Sequence, residues 1–257
     1  MEQMRSPQFL DRSLYVGIIG KEGARVSDVA RSGPLDGRVP HMRRWKMADV
    51  VAHLGGVHRW AAEIVSTGEF FTVSRRRGEE QGDALIAWFD EGVAHLTSVL
   101  GAADPDARCP NFSPGSPGTN AFWSRRQAHE TTMHRWDTES AAGKISPIDP
   151  VFATDGIDEL FSTFTRSRGK QVLPSPVAIR CADTGGSWTV FPADKPGRVD
   201  FARDPGQPAK KPVATIAGDA EKLLLALWKR VPVEQAELKV TGRTAVAGAF
   251  LAGPISP

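Results

Sequence analysis

The chain has 257 residues, 40% of them hydrophobic and 24% charged, and its 32 Lys and Arg against 30 Asp and Glu leave a formal net charge of +2. That balance lacks the concentrated basic face of a dedicated nucleic-acid binder, and no apolar run approaches the roughly 20 residues that span a bilayer. The opening MEQMRSPQFLDRSLYVG has no continuous apolar stretch of the kind that directs export, and two cysteines, Cys109 and Cys181, are too few for a disulfide framework, so a reducing cytoplasm is expected.

The first half reads as helices. A shorter helix near residues 8–31 is expected to complete the bundle or to replace one of the helices that follow. Residues 46–66 place Val50, His53, Val57, Trp60 and Ile64 on one stripe at steps of three and four, widened by Met47, Val51, Leu54 and Ala61. Residues 82–100 repeat the habit with Leu85, Trp88, Phe89, Leu96 and Leu100. The stretch 109–120, CPNFSPGSPGTN, is too rich in Pro and Gly to be regular. Residues 120–142 form a further helix closed by Gly143, and residues 150–168 another, with Phe152, Ile157, Leu160, Phe161 and Phe164 apolar. A bundle of about four helices with at least one long crossover follows.

Beyond about residue 171 the pattern changes. Val177–Cys181 and Ser187–Phe191 are two β-type runs around a Thr-Gly-Gly turn. Residues 195–211 read as a loop or linker, KPVATIAG as a strand, GDAEKLLLALWKRV as a helix with Asp219 near its start, and AELKVTG as a last strand. The expected organisation is therefore a helical domain over 1–171 and a smaller α+β domain over 172–257, with the functional cleft between them, where binding sites are common. All six histidines, His41, His53, His58, His95, His129 and His134, fall in the helical part.

The segment RRQAHETTMHRWD carries the sharpest chemical signal. It is not the zinc-protease pattern, which sets two histidines four apart, about 40° around a helix. His129 and His134 are five apart, about 140° at roughly 100° per residue, and do not chelate one ion easily. Glu130 and His134 are four apart and project together, giving two legs of a metal site. The third leg must come from another helix. His53 is the natural candidate, because it interrupts an apolar stripe; His58 competes with it on spacing alone. Two histidines and a glutamate would leave an open fourth position, as in catalytic zinc sites. The plainer reading makes Glu130 a partner of Arg126, also four residues away, and His134 a surface residue.

WKMADVVAHLGGVHRW, then FWSRRQAHETTMHRWDTESAAG and ATDGIDEL, resemble the mycothiol-dependent maleylpyruvate isomerase family, part of the wider DinB-like four-helix-bundle group. The resemblance covers roughly residues 8–170; GDAEKLLLALWKR is similar to a marker of that family's small C-terminal α+β domain. It implies zinc ligands at His53, Glu130 and His134, favouring His53 over His58. The sequence departs from the family in two loops: MRRW keeps Trp45 but lacks the usual turn residues before it, and CPNFSPGSPG has Phe112 where a tryptophan is common.

The resemblance also implies the chemistry. Zinc held by two neutral imidazoles and a carboxylate keeps a charge near +1 and lowers the pKa of a bound thiol. Neither cysteine has a catalytic motif, so the thiol is external, in this family mycothiol. Its thiolate adds to an unsaturated keto diacid, the bond rotates, and the thiol leaves from the trans isomer. Arg126, Arg135, Arg180, Arg230 and Arg243 are candidates to hold the acid, Arg230 first; His129, Arg135 and Asp137 are candidates to orient a ligand. The alternatives are a mycothiol S-transferase acting on an electrophilic small molecule, and a non-enzymatic metal- or thiol-binding accessory protein. The expected partners are small molecules, with no nucleic acid or membrane, and the protein a monomer or small homo-oligomer.

Overall fold

The computed structural model describes residues 10–70, 80–113, 118–165, 173–193, 199–204 and 210–253. Four long helices, α1 (Arg12–Ser32), α2 (Met47–Thr67), α3 (Gly82–Ala102) and α4 (Asn120–Ala142), make the first unit. α1 starts where the Asp11 carboxylate accepts from the Ser13 amide at 2.8 Å, capping an otherwise unpaired donor. α2 and α4 stop at Gly68 and Gly143, whose φ of 71° and 72° are the left-handed closures glycine permits. α1 packs on α3 and α4, and α2 packs on α3 and α4, so the helices close a ring in the order α1–α3–α2–α4. Helices α2 and α3 approach closely enough that a Cβ at Gly55 would collide with the Trp88 ring. Arg59 then covers that ring from 3.9 Å and donates to the Trp88 carbonyl.

The buried line of α2 runs through Met47, Val51, Leu54, His58 and Ala61, with Val50 and Ile64 beside it. His58, not His53, is therefore the histidine at the centre of the stripe, and His53 stands at its half-buried margin. α4 is different in kind. It has no apolar stripe, yet 17 of its 23 residues are buried, among them Arg126, His129, His134, Arg135, Asp137 and Glu139. A helix with that much buried polarity must satisfy each group internally. At its C-terminal end it does so against α1: Glu139 accepts from Arg25 at 2.7 Å and Arg135 at 2.8 Å, Arg135 reaches Glu22 at 2.6 Å, and the Ser146 amide closes on Glu139.

The second unit is built mainly on Pro147–Pro257. Helix α5 (Pro150–Leu160), capped by Asp149 and continued by a π turn over Phe161–Thr165, was expected as a bundle helix from its apolar spacing. It packs on α6 (Ala220–Leu227) instead, and α1, as long as α2 and α3, supplies the fourth bundle helix. Apolar spacing tells that a helix has a buried face but not which partner covers it. Five strands form a mixed sheet, β1 (Val177–Cys181), β2 (Ser187–Pro192), β3 (Val199–Arg203), β4 (Ala214–Gly218) and β5 (Lys239–Gly242), in the order β3-β2-β1-β4-β5. β1 runs parallel to β4, the other pairs are antiparallel, and Trp188, Ile179 and Ile216 form one fully buried row across three strands. Asp158 of α5 accepts from Trp188 at 3.0 Å and from Arg203 at 2.6 and 2.7 Å, which gives the DGIDEL motif a tie to β2 and β3.

Two elements were not foreseen. β3 lies inside the stretch read as a linker, because its Pro- and Gly-rich flanks hid five residues of strand. α7 (Thr244–Ala252) is rich in Ala and Gly and apolar all round, so it offers no periodic stripe. Asp219 stands at the α6 N-cap as expected, but its side chain makes no cap bond; the Ala220 amide donates to Asp183 at 3.0 Å.

Burial pushes the His58 imidazole down to about 3. The folded protein keeps it neutral while the unfolded chain protonates it below about pH 6.5, so the folded state loses up to about 1.4 kcal/mol per pH unit as the pH falls from there. Thermal unfolding of ion-free His58→Leu should therefore depend less on pH than wild type between pH 7 and 5; parallel decline of the two melting temperatures would refute this source of acid sensitivity.

Candidate metal centre

Three side chains expected to converge do so. His53 Nε2 from α2 lies 3.4 Å from Glu130 Oε1, and His134 Nε2, one turn along α4, lies 3.2 Å from the same oxygen. One ligand atom from each of the three falls within 4.8 Å of the others, and the two imidazole centroids are 5.0 Å apart. Zinc bonds of about 2.0–2.1 Å in a tetrahedron set neighbouring ligand atoms about 3.4 Å apart. The observed spacings and the donor set of two imidazoles and one carboxylate both fit a divalent ion.

The surroundings hold each ligand in place. The second oxygen of Glu130 accepts from Arg126 Nη2 at 2.8 Å, so the plain pairing of these residues leaves Oε1 to face the two imidazoles. Asp137, completely buried, accepts from His134 Nδ1 at 2.8 Å and leaves Nε2 for the centre. Trp45 lies parallel to the His134 ring at 6.3 Å and edge-on to His53 at 5.1 Å. Burial would raise the Glu130 carboxyl, but hydrogen bonds from His134 and His53 and the Arg126 charge hold it well below the usual carboxylate range. Burial would likewise lower His134, but Asp137 and Glu130 outweigh it and push this imidazole up to about 9. Without an ion, the His134 cation lies between the Asp137 and Glu130 carboxylates, and Arg126 adds a second positive charge on Glu130.

The other candidates go elsewhere. His58 Nε2 sits 2.9 Å from Thr131 Oγ1, with its ring on Phe89, in the core of the bundle. His129 is buried with its ring edge to Tyr15 of α1. Arg135 is not a surface residue; it is buried against Glu22 and Glu139. Of the three residues considered for orienting a ligand, Asp137 makes that contact, at His134 Nδ1. Arg126 is thus paired with half-buried Glu130, and Arg135 with buried Glu139 and half-buried Glu22. In the second unit Arg180 pairs with Asp204 at 3.2 Å, Arg230 donates to the Trp228 carbonyl at 3.1 Å, and Arg243 is exposed at the start of α7. Sequence reasoning overlooked His41, whose Nε2 lies 2.8 Å from Asp137 Oδ1; it precedes α2 in a segment without periodicity, and no spacing rule could have tied it to α4.

Cys109 and Cys181 are both buried, and burial raises both thiols, Cys181 to about 11. Neither is a thiolate at neutral pH.

Comparison with known proteins agrees with this architecture. Residues 17–139 match the family model of the mycothiol maleylpyruvate isomerase N-terminal domain, and residues 152–249 match the C-terminal domain of the same family. Among solved structures, a mycothiol-dependent maleylpyruvate isomerase superposes with a TM-score of 0.63 at 15% identity, over 94% of this chain and 96% of that one. A histidine-to-alanine variant of such an enzyme superposes with a TM-score of 0.62 at 13% identity, over 93% and 96%. These likenesses show a shared fold. No curated protein matches the chain significantly. With both halves matched in order and the fold shared along almost the whole length, the chain belongs to the mycothiol-dependent maleylpyruvate isomerase family.

Proposed function

We propose that the protein is a metal-dependent enzyme that uses a low-molecular-weight thiol, mycothiol, to isomerise a cis-unsaturated keto acid to its trans form. The observation that carries the reading is the convergence of His53, Glu130 and His134 on one centre in a chain whose own thiols are buried and protonated. When bound, a divalent ion, zinc by donor set, and an external thiol together supply a nucleophile at neutral pH that adds reversibly across a conjugated double bond, leaving it free to rotate.

The protein's residues do the rest. His53, Glu130 and His134 hold the ion. Arg126 occupies the second oxygen of Glu130 and adds its charge to the His134 and His53 hydrogen bonds that keep the carboxylate ionised, so Oε1 faces the centre. Asp137 fixes the His134 ring with its proton at Nδ1. Trp45 lies edge-on to the His53 ring and parallel to the His134 ring. Arg230, half-buried beside Trp228, is our candidate anchor for a substrate carboxylate. The reaction needs no macromolecular partner, no described helix is long and apolar enough to cross a membrane, and the cytoplasm, where a free thiol stays reduced, is the compartment we assign.

Metal analysis should find about one zinc per wild-type chain and most of it lost in His53→Ala and Glu130→Gln. Retention of the ion by both variants would disprove the ligand set. Because His134 is protonated up to about pH 9 in the ion-free protein, uptake must expel that proton. Zinc affinity should then climb roughly tenfold per pH unit from pH 7 to 8.5, and an affinity that does not change with pH would count against His134.

Incubated with mycothiol and a cis-unsaturated keto acid, the loaded enzyme should return trans acid and free thiol. A stable thiol conjugate would instead identify an S-transferase, and no reaction with either class of electrophile a non-enzymatic protein. Arg230→Met should raise KM with kcat little changed; an unchanged KM would remove Arg230 from the site.

A further inference from the structure

We propose that His41 is a positioning residue of the metal centre: acting through Asp137, it fixes the His134 ring in the orientation that offers Nε2 to the ion. This rests on the reading of His53, Glu130 and His134 as ligands and adds a residue outside that set. Asp137 is completely buried, and an ionised carboxylate only accepts, so each imidazole nitrogen facing it must carry a hydrogen. Oδ2 faces His134 Nδ1 and Oδ1 faces His41 Nε2, both at 2.8 Å. The proton of His134 therefore sits at Nδ1, and in the ligand state its lone pair is at Nε2, 3.2 Å from Glu130 Oε1. Remove His41, and one oxygen of a fully buried carboxylate loses a donor; Asp137 then has reason to turn, and His134 turns with it.

Two further observations single out His41. Its other nitrogen, Nδ1, is buried without a hydrogen-bond partner, so the contact with Asp137 is the polar bond this ring makes among the described residues. The segment that carries it is a small closed turn: the Val39 amide donates to the Trp45 carbonyl at 3.0 Å, the Trp45 amide to Met42 at 2.8 Å, and the Met47 amide to Gly37 at 2.9 Å. His41 ties this turn to α4, and Trp45, four residues on, lies over the His134 ring. One turn thus holds His134 both at its face and, through Asp137, at its Nδ1 edge. Here the run MRRW, which lacks the usual turn residues of the family, is closed and anchored by its own hydrogen bonds and by His41.

The test compares wild type with His41→Ala, His41→Leu and His41→Gln. Leu fills the ring's space without a donor and serves if Ala does not fold; Gln can place an amide N–H where the imidazole Nε2 stands. Zinc dissociation constants come from chelator competition, the geometry of the centre from the visible absorption of cobalt(II)-loaded protein, and the His134 ring N–H from its low-field proton resonance in ion-free protein. Ala and Leu should weaken zinc binding about ten- to a hundredfold, shift the cobalt spectrum, and broaden the His134 resonance while far-ultraviolet circular dichroism stays unchanged. Gln should restore zinc affinity to within about threefold of wild type, together with both spectra. Wild-type zinc affinity, cobalt spectrum and His134 resonance in the Ala or Leu protein would overturn the proposal, as would a Gln protein as impaired as Ala. A wild type that takes up no metal would refute the ligand set, and the ion-free His134 resonance would still decide whether His41 positions that ring.

Discussion

The centre depends on one carboxylate oxygen. Glu130 Oε1 faces His53 from α2 and His134 from α4 at once, while its partner oxygen is held by Arg126. Everything around it serves to keep a charged group in that place inside a helical bundle. Burial alone would raise the Glu130 carboxyl, and the hydrogen bonds of His134 and His53, with the charges of His134 and Arg126, reverse that tendency. The same logic extends outward, from His134 to Asp137 and from Asp137 to His41, each buried acceptor meeting a donor.

This explains the unusual composition of α4. Most bundle helices bury an apolar stripe and expose the rest; α4 is buried nearly all round with arginines, histidines and carboxylates inside. Its N-terminal turns carry the apolar anchors Phe122 and Trp123, its middle Glu130 and His134, and its C-terminal turns the Glu139 network that ties it to α1. The network fixes the helix at one end, so that Glu130 and His134 meet His53 without a search through alternative positions.

Much of this was legible in the sequence, and the reasons are specific. Glu130 and His134 were paired by helical spacing, which is local and needs no knowledge of the partner helix. The helix end at Gly143 and the Thr184–Gly185–Gly186 turn were legible because the left-handed backbone there favours glycine. His53 against His58 was not settled by spacing, since both sit on one amphipathic helix; a family resemblance chose His53, and the structure gives the reason, His58 being committed to Thr131 in the core. What stayed hidden was tertiary: that α5 packs on α6, that a Pro-flanked stretch holds β3, and that a histidine in an aperiodic turn reaches Asp137. These depend on contacts between distant segments, which leave no periodic trace.

In the function proposed for this chain, the reactive sulfur comes from outside and the means of activating it lies inside. X-ray absorption spectroscopy of the zinc-loaded protein, before and after adding mycothiol, tests this most directly. The account predicts a first coordination shell of nitrogen and oxygen only, joined on addition of the thiol by one sulfur at about 2.3 Å. A shell without imidazole nitrogen, or one that admits no sulfur when the thiol is present, would contradict it.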